Sequence, residues 1–248
     1  MLKTESLEKR FGNLKAVNDV SIDIEEGEFR SLIGPNGAGK TTLFNLVTGA
    51  LTPSSGQIYF DGENITDLEP HEIAQRGCSR SFQITSIFPD LSVEENLRVM
   101  AQAKLRGRPS MFKRKEELVE PLKRVDELVD LLDLEDVRER TASELSHGQK
   151  RHLEIGLTLA RDPNLLMLDE PTAGMSQEET REIIDLLNEI KSDYTVLLVE
   201  HDMDVVMSLS DRIMVLHHGE VIAEGTPDVV RDDERVREAY LGVEETYV

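Results

Sequence analysis

The chain has 248 residues, enough to bury one sizeable core or a core carrying an inserted subdomain. Its 49 Asp and Glu against 28 Lys and Arg give a formal net charge of −21. That balance disfavours a general nucleic-acid binder, because sequence-independent affinity comes from a basic surface that neutralises phosphates.

Read from the start, "MLKTESLEKRFG" holds no apolar stretch of signal-peptide length, so a soluble, non-secreted protein is expected. "VSIDIEE" (20–26) alternates Val20, Ile22 and Ile24 like a half-buried strand, and "EEGE" supplies a turn. "FRSLI" (29–33) reads as a strand running into a glycine-rich loop, with Arg30 an unexplained charge inside it, and "TTLFNLVTGAL" as the following helix. "GQIYFDGENI" predicts a short strand and an Asp-Gly turn. The lone Cys78 cannot form an internal disulfide and fits a reducing compartment.

From about residue 91 the pattern becomes helical. "LSVEENLRVMAQAKL" opens on Ser92 with Glu95 three residues later, the spacing of a capping box. "EELVEPLKRVDELVDLLDL" (116–134) places Leu118, Leu122, Val125, Leu128, Val129 and Leu132 on one helical stripe. Strand signals return with "LLMLDE" (165–170), "TVLLVEHD" (195–202) and "DRIMVLHHGEVI" (211–222), and a helix is expected over 177–191. In that last strand-like run His217 and His218 should point to opposite faces. Even the longest apolar runs, such as "VLLV" (196–199), fall far short of the ~18 residues a membrane-spanning helix needs. Strand–helix alternation at both ends around a helical middle predicts an α/β core, residues 1–83 and 161–248, interrupted by a helical insertion over 84–160.

Gly34-Pro35-Asn36-Gly37-Ala38-Gly39-Lys40-Thr41, followed by Thr42, matches the phosphate-loop pattern in a strand–loop–helix setting. The glycines let the backbone curl so that N–H groups converge on phosphate oxygens, with the helix dipole behind them. Lys40 should reach the β- and γ-phosphates, and Thr41 should ligate Mg²⁺. In "LLMLDE", Asp169 ends a buried strand where it can face the Mg²⁺ from the opposite side, and Glu170 is placed to polarise water. A second phosphate-binding element, "ELSHGQKR" (144–151), offers a Ser146 hydroxyl, an unhindered Gly148 amide and Gln149 at a helix start.

The phosphate loop, "LSHGQ" and "LLMLDEPT", in that order and spanning essentially the whole chain, resemble the ATP-binding subunits of ABC transporters. The resemblance implies a P-loop NTPase core of ABC ATPase type with an N-terminal antiparallel β part and an inserted α-helical subdomain. It also implies a head-to-tail dimer, in which Ser146, Gly148 and Gln149 close over ATP held by a partner ATPase subunit. By the same resemblance, Gln83 in "SRSFQITSIFPDLSVEENL" approaches Mg²⁺ and the attacking water, His201 contacts the γ-phosphate and Phe11 stacks on adenine. A core phenylalanine is the alternative for Phe11.

Two residues depart from the common pattern: His147 stands in place of glycine, and Ser176 in place of aspartate in the loop joining the two sites. The wording of residues 79–97, of 159–180 and of the tail looks like ATPases of branched-chain amino acid importers, while urea importers and lipopolysaccharide export ATPases share much of it. The implied partners are a second ABC ATPase subunit, identical or related, integral membrane permease subunits and, indirectly, an extracytoplasmic solute-binding protein. The implied place is peripheral, on the cytoplasmic face of the membrane. Phe88 and Pro89 are candidates for the permease-docking groove, with a core role the alternative for Phe88. A non-transport ABC factor lacks support from coiled-coil heptads or a second cassette, and a small P-loop kinase or GTPase leaves "LSHGQ" unexplained. Arginine outnumbers lysine 18 to 10, and the acidic surface fits either a salty cytoplasm or an ordinary acidic protein.

Overall fold

The computed structural model describes residues 1–80, 87–103 and 119–244. Strands β1 (Leu2–Phe11) and β2 (Leu14–Val20) form a hairpin through Gly12, and β3 (Asp23–Ile24) returns to pair with β1. Val20, Ile22 and Ile24 are buried while Ser21 and Asp23 are exposed, as the alternation predicts, although the ladder is interrupted at 21–22. β4 (Phe29–Ile33) runs into the glycine-rich loop, and α1 (Lys40–Val47) follows it. β5 (Ser55–Phe60) turns through Asp61 and Gly62, both at positive φ, into β6 (Glu63–Asn64). After α2 (Pro70–Gln75) and β7 (Cys78–Arg80) the described chain resumes at residue 87.

α3 (Val93–Ala103) begins at the expected capping box: the Glu95 amide donates to Ser92 Oγ at 3.1 Å, and the Ser92 amide to Glu95 Oε2 at 3.0 Å. Buried Asn96 pins the segment before it, accepting from the Phe88 amide and donating to the Phe88, Leu91 and Ser92 carbonyls. α4 (Val119–Leu131) buries Val125, Leu128 and Val129, with Leu132 just beyond it. Leu122 departs from the predicted stripe and is 43% exposed; Leu118 lies outside the described residues.

The rest of the chain continues with α5 (His147–Leu159), β8 (Leu165–Asp169), α6 (Gln177–Ile190), β9 (Thr195–Val199) and α7 (Met203–Leu209). It closes with β10 (Arg212–His217), β11 (Glu220–Gly225), α8 (Pro227–Asp232) and α9 (Glu234–Glu244). The run 211–222 is therefore a hairpin and not one strand. His218 and Gly219, at φ 47° and 81°, make its turn. That corrects the expectation of opposite faces. Because His218 leaves the extended conformation, its ring lies beside that of His217, with centroids 4.0 Å apart.

Two sheets result among the described residues. One is antiparallel, in the order β2-β1-β5-β6, with β3 added to β1; the other runs β11-β10-β4-β9-β8-β7, all parallel except for β11 at the edge. Alternate residues of the parallel strands serve different layers. Leu166, Leu168, Val196 and Leu198 pack with α3–α6, whereas Leu165, Met167, Leu197 and Val199 pack with α1 and the antiparallel sheet. Burial on both faces explains why these strands read as unbroken apolar runs. Each fully buried Leu or Val contributes about 1.5–3 kcal/mol.

Arg30 bridges the sheets. It is fully buried, pairs with Glu28 at 2.7 Å and Glu224 at 2.6 Å, and donates to the Asp23 carbonyl of β3. Cys78 is buried, and burial pushes its thiol pKa up to about 12. Among the described residues no helix is long and apolar enough to cross a membrane.

Candidate nucleotide site

The glycine loop sits at the C-terminal end of β4, which is buried and flanked in parallel by β10 and β9. Its glycines are required for different reasons. A Cβ at Gly34 would stand 2.1 Å from the Leu216 carbonyl oxygen, and one at Gly39 would stand 2.2 Å from that of Ala16. Gly37, at φ 80°, faces open space and is demanded by conformation alone. The Gly219 amide donates to the Ala38 carbonyl at 2.9 Å, tying the β10–β11 turn to the loop.

Within the loop Ala38 and Lys40 are buried, Pro35 and Thr42 half-buried, and Asn36 and Thr41 exposed. Lys40 Nζ donates back to the Gly34 carbonyl at 2.6 Å and the Pro35 carbonyl at 3.2 Å. Burial holds this ammonium below its ordinary range, opposed by the negative charges of Glu170 and Asp169. Phe11, at the end of β1, is 48% exposed, so it is not a core residue; Lys9 lies 5.5 Å from its ring centroid. β2 touches the loop at Ala16, which sets the hairpin bearing Phe11 against it.

Asp169 ends β8, one strand removed from β4, and is buried. Arg80 donates to its Oδ2 at 2.9 Å. Glu170 adopts a left-handed backbone, φ 48°, uncommon for a non-glycine residue, and its amide donates to the Val199 carbonyl at 2.8 Å. His201, just beyond β9, brings Nδ1 to 4.0 Å from Glu170 Oε1 and 3.7 Å from Glu200 Oε2. The structure thus brings Lys40, Asp169, Glu170 and His201 to one end of the parallel sheet; Gln83 lies outside the described residues.

Sequence reasoning missed Glu200. Its fully buried carboxylate accepts from the Thr172 amide and hydroxyl and from the His201 amide, tying together the loops after β8 and β9. An acid directly after the apolar run "TVLLV" was the available signal.

The Ser146 segment is built separately. Ser146 caps α5, accepting from the Gln149 amide at 3.2 Å while the Gln149 side chain accepts from the Ser146 amide. Ser176 caps α6 through the same reciprocal arrangement with Glu179. The two helix starts meet, since a Cβ at Gly148 would lie 3.4 Å from Glu179 Cγ and Oε1. The Glu179 carboxyl is held below its ordinary range chiefly by hydrogen bonds from the Ser176 amide and hydroxyl, with help from His147 and the Gly148 amide. Arg151 of α5 donates to the carbonyls of Glu170 and Pro171, linking this helix to the Glu170 turn. Among the described residues no hydrogen bond or ion pair joins 146–149 to 34–42.

A glycine loop opening a helix beside a parallel strand, with an Asp-Glu pair at a nearby strand end, defines a P-loop nucleotide hydrolase. The model described as "ABC transporter" matches residues 17–173, and that described as "Branched-chain amino acid ATP-binding cassette transporter" matches 220–246. The chain is 41% identical to the high-affinity branched-chain amino acid transport ATP-binding protein BraF of Pseudomonas aeruginosa, over 98% of each. It superposes on the ADP conformation of MJ1267, an ATP-binding cassette of an ABC transporter, with TM-score 0.83, 34% identity and 98% coverage of both. A dimeric structure of MJ0796, a bacterial ABC transporter cassette, aligns with TM-score 0.76 and 30% identity over 92% of this chain and 99% of that one. The chain belongs to the ABC transporter ATP-binding family, and it binds and hydrolyses ATP.

Proposed function

We propose that this protein energises uptake of branched-chain amino acids through separate membrane permease subunits, as one of two ATPase subunits held on the cytoplasmic face of the membrane. The cargo rests on the match at 220–246 and on the named activity of relatives covering nearly the whole chain. In this reading, residues 1–83 and 161–248 form the nucleotide-binding core and 84–160 the helical subdomain that meets the permease. Phe88, 44% exposed, is the apolar contact there.

The donor set fits Mg²⁺: the Thr41 hydroxyl and the buried Asp169 carboxylate are hard oxygen ligands, and Gln83 adds an amide oxygen. When bound, the ion offsets the charge of the β- and γ-phosphates. The loop amides cradle the phosphates, and Lys40 exchanges the Gly34 and Pro35 carbonyls for phosphate oxygens. Glu170 polarises the attacking water, with His201 near its carboxylate to contact the γ-phosphate. Phe11 offers a ring face to the adenine. From the other subunit, Ser146 donates its hydroxyl hydrogen, since its oxygen already accepts from Gln149, and the Gly148 amide and the helix start complete the enclosure.

One observation carries the dimer reading: a single protomer holds two incomplete anion-binding elements, 34–42 and 146–149, each built on its own helix start. Glu170→Gln should retain ATP and form a stable dimer while turnover falls about 10²–10⁴-fold, read by phosphate release and size-exclusion chromatography. Undiminished turnover would remove Glu170 from its assigned role. Co-purification with permease subunits whose solute-binding protein takes leucine, isoleucine or valine tests the cargo.

A further inference from the structure

Arg80 has no role among the residues assigned to the site, yet it touches Asp169. It ends β7, whose register sets it opposite Met167, two residues before Asp169 on β8. Its guanidinium is held on three sides. One nitrogen donates to Asp169 Oδ2 at 2.9 Å, another donates to Asn45 Oδ1, and the guanidinium carbon lies over the Phe44 ring, 4.9 Å from the centroid. Phe44 and Asn45 belong to α1, the helix behind the phosphate loop.

The acid is 1% exposed and the arginine 15%, so the pair is shielded from water and weakly screened. A buried pair of this kind contributes little net stability, because desolvation offsets the attraction. Its electrostatic effect on a neighbouring ion is much larger. A fixed positive charge one carboxylate away from a dication repels it, and a guanidinium holding one oxygen orients the other.

We propose that Arg80 is a positioning residue that aims Asp169 and weakens its grip on the divalent cation. The fork fixes the carboxylate against α1 and β8, and its charge keeps the metal exchangeable between turnovers. This inference rests on the reading of Asp169 as a metal-facing acid.

The test is titration of Mn²⁺ into the full chain with ADP, following free Mn²⁺ by electron paramagnetic resonance. Arg80→Gln keeps a donor for Asp169 but removes the charge, and should tighten Mn²⁺ about tenfold. Arg80→Lys keeps the charge and should stay within about threefold of the wild type. Asn45→Asp draws the guanidinium away and neutralises it without emptying the site, and should tighten Mn²⁺ as well. Wild-type or weaker Mn²⁺ binding in folded Arg80→Gln overturns the proposal, and where Arg80→Gln does not fold the same result in folded Asn45→Asp does so. Asp169→Asn separates the two readings. If it leaves Mn²⁺ binding unchanged, the assignment of Asp169 is wrong; if it weakens binding while the Arg80 variants do nothing, only the role of Arg80 falls.

Discussion

Gly37 and Gly39 both take positive φ, but only Gly39 presses against backbone, with the Ala16 carbonyl where a side chain would begin. Gly37→Ala should therefore cost about 1–2 kcal/mol of stability, the left-handed strain alone, and leave ADP affinity nearly intact. Gly39→Ala adds a clash that only movement of β2 relieves, so a cost of about 2–4 kcal/mol and loss of ADP binding are expected. Urea unfolding with ADP titration of both variants checks the contrast. This part of the site was legible because a phosphate loop is a local object, its residues adjacent in sequence. Arg80 and Asp169 are 89 residues apart, and Thr172 and Glu200 are 28 apart. No periodicity or spacing announces those pairs; they exist only once β7, β8 and β9 lie side by side.

At the scale of elements, capping boxes were the most readable feature. Ser92 with Glu95 closes as its spacing suggests; Ser146 with Gln149 and Ser176 with Glu179 form the same box, and the helix after Ser146 begins at His147, two residues ahead of the expected Gln149. The hairpin at His218-Gly219 escaped notice because apolar runs, 213–216 and 221–223, lie on both sides of it and a His-Gly turn is a weaker signal than Asn-Gly or Asp-Gly. Helix α5 has a further duty. Arg151 reaches two successive carbonyls at the Glu170 turn, so the segment proposed to serve the partner's nucleotide is joined to the residue proposed as its own protomer's catalytic acid. Arg151→Lys supplies a charge but cannot span both carbonyls. The expected result is a roughly tenfold lower kcat with ATP affinity unchanged, measured by steady-state hydrolysis alongside equilibrium nucleotide binding.

Over the whole molecule, Arg30 joins both sheets at a point that local sequence reading could not resolve, since its partner Glu224 lies 194 residues away. The net charge of −21 acts on every element at once. Self-repulsion should weaken the fold at low ionic strength, so raising KCl from about 10 mM to 1 M shortens the Debye length from ~30 to ~3 Å and should raise Tm by several degrees. Thermal melts across that range read the effect, and an unchanged Tm would show that the acidic surface is not a liability.

In the proposed dimer each ATP is shared between two subunits. An ATP analogue bearing a photoreactive group on its γ-phosphate reads that sharing. The analogue is added to a mixture of Glu170→Gln protomers, which hold nucleotide, and mass-tagged Lys40→Ala protomers, which do not. Labelling of the peptide containing Ser146 and Gly148 on the tagged Lys40→Ala chain is the expected result. Label confined to the protomer whose own glycine loop is intact would contradict it.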